Sequence, residues 1–358
     1  MAHVRLRDRD AITTKEGLIF RVLGYTHPAD YYVCDAEYAS DSTFKSDNPK
    51  AFRKGARGVW YKFFEDEAWK LLEKSFPKYL VFNNILQKRV VGVTTEDILE
   101  IRKPEKRLRA LIEMEAGDRL LRAAHNVVDI VCEDTSMNVE SLGVFGSLLH
   151  GFYHPEYSDI DLITYGRENV LKLSKTLKEL YESSSSALTN EFATEESVKG
   201  KPWHFRNFSL KEYWWHQRRK LVYAVFDDGK IGRKIKVEFE PVKDWKEIDE
   251  DRDLNARIQS IGWAKIVAEV KEDKQAPFIP SVYKIEPREV IEGPEEASQV
   301  TRVVSYVEEF RKQATVNELV RVEGNLEKVT TSAGNFYQIA LTWCPRYYEQ
   351  VLKVNAKI

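Results

Sequence analysis

Between residues 144 and 163 the chain places the residue types that phosphate chemistry needs. Val144-Phe145 runs into Gly146-Ser147, and about a dozen residues later Ser158-Asp159-Ile160-Asp161-Leu162-Ile163 sets two carboxylates at alternating positions. Side chains two apart on a strand point to one face, so Asp159 and Asp161 share a face, with Ile160 and Leu162 packing behind them. Two carboxylates held side by side repel unless a cation lies between them. An all-oxygen set of this kind suits Mg²⁺ or Mn²⁺, which keep several waters and bind substrate phosphates. Gly146 admits a close backbone approach, and the Ser147 hydroxyl at a helix start offers a donor to a triphosphate. These parts match phosphoryl transfer, which asks for metal holders and a phosphate cradle and little covalent chemistry. A lone Asp-x-Asp is common on solvated strands. The buried-strand Gly-Ser at this distance sets the present one apart.

The elements that must position these groups are legible around them. Gly143-Val144-Phe145 reads as a short buried strand and Ile160 to Tyr165 as another. Asp118 to Cys132 carries Leu120, Leu121, Ala124, Val127, Val128 and Val131, the spacing of a buried helix face. Asn169 to Tyr181 reads as an amphipathic helix, and Ser209-Leu210-Lys211-Glu212 as a capping box opening a helix through about Lys220. Leu221 to Phe226, the turn Asp227-Asp228-Gly229-Lys230 and Ile235 to Phe239 form a hairpin.

With these elements in place, the segment from about 105 to 245 resembles the nucleotidyltransferase superfamily that includes DNA polymerase beta, CCA-adding enzymes and poly(A) polymerases. That pattern is a hydrophobic strand, Gly-Ser or Gly-Gly, about a dozen residues, then Asp-hydrophobic-Asp or Asp-hydrophobic-Glu, and every element of it is met. The resemblance implies an α+β fold with a polymerase-beta-type palm core. It also implies a third carboxylate on a later, adjacent strand. Glu238, between Val237 and Phe239 and shortly before Pro241, is the first choice, and Glu240 on the same face is the reserve. A Glu where many relatives carry Asp is a departure. In the implied roles Asp159 and Asp161 hold both metals and Glu238 completes the one that activates the acceptor hydroxyl. Gly146 and Ser147 bind the nucleotide's phosphates, and pyrophosphate leaves.

Other residues carry weaker signals. Arg218 and Arg219 end the capped helix and are candidates for nucleotide binding, although a cationic helix end more often faces solvent. Trp203, His204, Trp214 and Trp215 suit either a base-stacking wall or, more commonly, a core. His150 and His154 lie beside the site, without further His or Cys to make a zinc pair.

The flanks look β-rich. Residues 1–92 form an expected N-terminal β domain, 93–254 the catalytic domain with its preceding helices, and 255–358 a helix, a linker and a β-rich C-terminal domain. Gly17 to Gly24 and Tyr31 to Cys34 read as strands, Asp41 to Gly58 as a loop, and Glu65 to Phe76 as a helix. A short helical segment is expected after Thr94 or Thr95, another helix from Pro104, and a third over Asn255 to Val270. Strand-like runs after Val300 suit a small barrel or sandwich, with an OB-like fold among the options.

With a net charge of -2, the chain is not a generic nucleic-acid-coating protein. Cys34, Cys132 and Cys344 form no CxxC pair, and no apolar run approaches membrane length, so a cytoplasmic, reducing location is expected. The reading that follows is an NTP-dependent enzyme, ATP among its substrates, moving an NMP to a hydroxyl. The acceptor is an RNA or DNA 3′ end, slightly favoured by the β-rich flanks, or else a protein or small molecule. The alternative is a catalytically silent nucleotide- or nucleic-acid-binding module that keeps the fold.

Overall fold

The computed structural model describes residues 4–56, 58–199, 205–248, 256–342 and 346–355. The chain divides into two compact units, one of residues 1–83, 88–188 and 224–250, the other of residues 84–87, 189–223 and 251–358.

The first unit opens with strands β1 (Ala11–Thr14), β2 (Leu18–Val22), β3 (Tyr31–Ser40), β4 (Phe52–Gly55) and β5 (Gly58–Lys62). Helix α1 (Glu67–Ser75) and strands β6 (Leu80–Asn83), β7 (Lys88–Thr94) and β8 (Ile98–Arg102) follow. They make one sheet in the order β4-β5-β3-β2-β1-β8, with β7 also pairing β3 and β6 pairing β7. One face buries Phe20, Tyr32, Leu72 and Tyr79, and each fully buried side chain of this size contributes roughly 1.5–3 kcal/mol.

Two expectations fail in this region. Asp41 to Gly58 is not all loop, because Phe52–Gly55 pairs with Gly58–Lys62. Its Lys, Arg and Gly residues are poor strand formers, and pairing decides the outcome. The segment after Thr95 makes one turn and then extends as β8, drawn out by pairing with β1.

Helices α2 (Pro104–Glu113) and α3 (Arg119–Thr135), strand β9 (Leu142–Val144), helix α4 (Gly146–His150), strand β10 (Ile160–Tyr165) and helix α5 (Arg167–Glu182) come next. Asp118 caps α3, accepting from the backbone N–H groups of Leu120 and Leu121. The chain continues through β11 (Leu188–Asn190), α6 (Leu210–Arg219), β12 (Tyr223–Phe226) and β13 (Ile235–Val242). The second sheet runs β11-β12-β13-β10-β9. Strand β10 lies parallel to β13 and antiparallel to β9, and α5 packs on β10 and β13.

In the second unit, α6 carries the expected capping box of Ser209 and Glu212. Strands β14 (Arg257–Gln275), β15 (Ser281–Glu292), β16 (Val300–Ser305), β17 (Leu319–Thr331), β18 (Gly334–Leu341) and β19 (Val351–Val354) form the third sheet. Its order is β14-β15-β16-β18-β17-β19, and β14 also pairs with β17, which closes five strands into a barrel. Strands β16 and β18 are its parallel pair. The helix expected over Asn255 to Val270 is, from Arg257 on, the long strand β14, and Asn255 lies outside the described residues. Ala, Lys and Glu favour a helix locally, but Ala264, Ile266, Ala268 and Val270 alternate into the core, the period of a strand.

Candidate active site

Strand β10 is buried along Ile160, Leu162 and Ile163 and emerges at its start, where Asp159 is exposed and Asp161 is partly open. Strand β9 lies beside it, Val144 opposite Leu162, and the Phe145 N–H donates to the Asp161 carbonyl at 2.8 Å. The chain then turns at Gly146 with φ +59°, and a Cβ placed there would lie 2.2 Å from Oδ2 of Asp161. Any side chain at 146 would therefore collide with that carboxylate, and the positive φ also favours glycine. Gly146 is what lets Asp161 lie against the start of α4. Ser147, partly exposed, follows at once.

On the other side of β10, Asp161 stands directly across from Glu238 on β13, with Ile163 across from Glu240. Glu238 is half-buried, whereas Glu240 is buried and gripped by the buried Arg9, whose Nε and Nη2 donate to one carboxylate oxygen at 3.3 and 2.8 Å. Arg9 and Glu240 thus form a buried ion pair.

Asp161 sits among acids. Burial raises its carboxyl pKa most, Asp159 and Glu240 add to the rise, Lys62 opposes it and Glu37 adds again, for a value of about 7. Among the described residues no donor is hydrogen-bonded to this carboxylate. A hard divalent cation fits this donor chemistry, since it would supply the missing positive charge and stabilise the ionised form. No three His, Cys, Asp or Glu side chains among the described residues converge closely enough to enclose an ion unaided.

The histidines beside the site have structural duties. His150 stacks on Phe152 at 5.2 Å and meets Tyr38 edge-on at 5.4 Å. Arg102 donates to its Nδ1 at 3.0 Å, and burial with the Arg102 charge pushes its pKa down to about 3, so the ring is neutral. His154 is exposed, accepts from the Glu156 N–H through Nδ1, and orders the loop before Asp159. Arg233, which no spacing rule singles out, donates to the Ser158 carbonyl at 2.7 Å and so braces the backbone next to Asp159.

The remaining candidates belong to the second unit. Arg218 is exposed on α6 with its guanidinium 5.5 Å from the Trp214 ring. Arg219 pairs with Glu318 at 2.7 Å and lies 4.4 Å over Trp215. Trp215 packs on the barrel core and Trp214 donates to the Phe192 carbonyl, so both act in packing. Trp203, His204 and Cys344 fall outside the described residues.

A family model described as a nucleotidyltransferase domain matches residues 125–225, a span that holds Gly146, Ser147, Asp159 and Asp161 and ends before Glu238. Residues 125–225 thus match a nucleotidyltransferase domain, with β-rich regions before and after it in the chain. It is similar to an uncharacterized protein of Methanocaldococcus jannaschii, 26% identical over 349 residues that cover 94% of each chain. No solved structure matches. No described helix is long and apolar enough to cross a membrane.

Proposed function

We propose that this protein is a metal-dependent nucleotidyltransferase that moves an NMP from an NTP to a hydroxyl acceptor and releases pyrophosphate. The observation that carries this reading is that Gly146, at the start of α4, lies against Asp161 on β10, which stands across from Glu238 on the adjacent β13, within and just beyond a nucleotidyltransferase domain. Asp159, Asp161 and Glu238 would hold the metal ions, Mg²⁺ or Mn²⁺, with phosphate oxygens and water completing the shells. When bound, such ions polarise the α-phosphate and ease ionisation of the acceptor hydroxyl.

The chain's own residues supply the rest. Gly146 holds the backbone clear of Asp161, and the Ser147 hydroxyl donates to a phosphate oxygen. Arg233 keeps Asp159 in place through the Ser158 carbonyl. The acceptor oxygen bonds to the α-phosphorus as the bond to the pyrophosphate oxygen breaks, and the hydroxyl proton passes to water. Glu238 is favoured over Glu240 as the third carboxylate because Glu240 is already committed to Arg9.

The five-stranded barrel supports a nucleic-acid 3′ end as acceptor, since small barrels of this type commonly bind single strands. The test is transfer of label from an α-labelled NTP to RNA, DNA or protein in Mg²⁺. Label on an RNA end, lost in Asp161→Ala, is expected. Tight NTP binding without transfer to any acceptor would favour a silent binding module instead.

A further inference from the structure

The N-terminal sheet turns its second face to the catalytic carboxylates. In β3, Ile19 pairs with Tyr38 and Phe20 with Ala36, so Glu37 is an extra residue in the ladder. Such a bulge re-aims side chains, and bulges recur beside active sites. Ala36 and Ala39 stay in the core of the sheet, while Tyr38 packs on Phe152 at 4.8 Å and on His150. Tyr38 stands directly across from Lys62 on β5, which puts both side chains on one face. Trp60, two residues earlier on that face, lies 6.3 Å from Phe152. Gly55 at the end of β4 is pressed against the same segment, where a Cβ would come within 2.8 Å of the Gly151 carbonyl oxygen. The β4–β5 hairpin is thus seated on the stretch of chain that leaves the Ser147 helix.

Lys62 is one of the cations at this seat, with Arg53 near Tyr38 and Arg102 on His150. It is half-buried, its charge acts on both Asp161 and Glu37, and no carboxylate among the described residues closes an ion pair with it. Two divalent ions do no more than match the charge of a triphosphate, so the carboxylates stay uncompensated unless a side-chain cation joins them. An ammonium held near acids without pairing to them is placed to take a phosphate oxygen.

We propose that Lys62 is a substrate-binding residue whose ammonium contacts the phosphates of the nucleotide held at Asp159 and Asp161, so that the N-terminal sheet completes the nucleotide site. This assignment rests on the proposed transferase reading.

The experiment titrates the full chain in Mg²⁺ with a non-hydrolysable α,β-methylene NTP and, separately, with the matching nucleoside monophosphate. Lys62→Met is expected to weaken the triphosphate analogue about tenfold or more, with monophosphate affinity and melting temperature unchanged and Lys62→Arg close to wild type. Unchanged analogue affinity in Lys62→Met, or an equal loss for both ligands, would overturn the assignment. Acetylation of the wild-type chain followed by mass spectrometry needs no variant. Protection of Lys62 by the triphosphate analogue and not by the monophosphate supports the contact, and no protection refutes it. Analogue binding that depends on Lys62 in a protein that never releases pyrophosphate would sink the transferase reading and leave Lys62 standing. Turnover unaffected by Lys62→Met would do the reverse.

Discussion

At Asp161 burial and neighbouring acids act together to favour the neutral carboxyl, raising its pKa from 3.8 to about 7. The folded protein therefore binds this proton more tightly than the unfolded chain does. The stabilisation from that proton is fully present below about pH 4 and is lost as pH rises through about 7. Metal binding needs the ionised form, so Mg²⁺ is expected to raise the melting temperature more at pH 8 than at pH 6, as scanning calorimetry would record. Metal-free Asp161→Asn is expected to melt above wild type at pH 8, with the gap narrowing at pH 5, and to lose the Mg²⁺ response. A wild-type Mg²⁺ shift that did not grow with pH would contradict this account of Asp161. Gly146→Ala tests the same contact from the other side. The new methyl would displace Asp161, and a misplacement of this order costs on the order of 10²-fold in turnover. Activity within a few-fold of wild type would show that Asp161 does not need this seat.

Between elements, the buried Arg9–Glu240 pair ties the segment before β1 to the strand that carries Glu238. Removing one partner strands the other charge, so Arg9→Ala is expected to cost about 3–5 kcal/mol in a urea titration. Glu238→Gln, on the half-buried side of the same strand, is expected to leave stability within about 0.5 kcal/mol and to remove most activity. If Glu240→Gln abolished turnover without loss of stability while Glu238→Gln did not, the third carboxylate would be Glu240. The sequence made strand β10, the short strand before Gly146 and the capped helices α3 and α6 legible, because each carries its own period or cap. It misled at Asn255 to Val270, where helix-forming residues hid an alternating pattern fixed by pairing on both sides of β14. The approach of Glu37, Tyr38 and Lys62 to Asp161 left no local trace. It depends on a bulge and on packing between residues about a hundred positions apart. Arg233 was hidden for a similar reason, since its contact is to a backbone carbonyl far along the chain.

For the whole molecule, the net charge of -2 argues against affinity for nucleic acid of any sequence and form. At about 150 mM salt the protein is expected to leave duplex DNA unretarded in a mobility-shift assay, while a single-stranded acceptor stimulates pyrophosphate release. Tight, strongly salt-dependent duplex binding would contradict that picture. Whether this protein transfers nucleotides is decided by magnesium-dependent pyrophosphate release from the full chain, assayed with each NTP and with RNA, DNA and protein acceptors. Release is expected, and is expected to fall about 10³-fold or more in Asp161→Ala, with the melting temperature at pH 6 preserved. No release under any of these conditions, or an Asp161→Ala protein as active as wild type, would contradict the transferase reading.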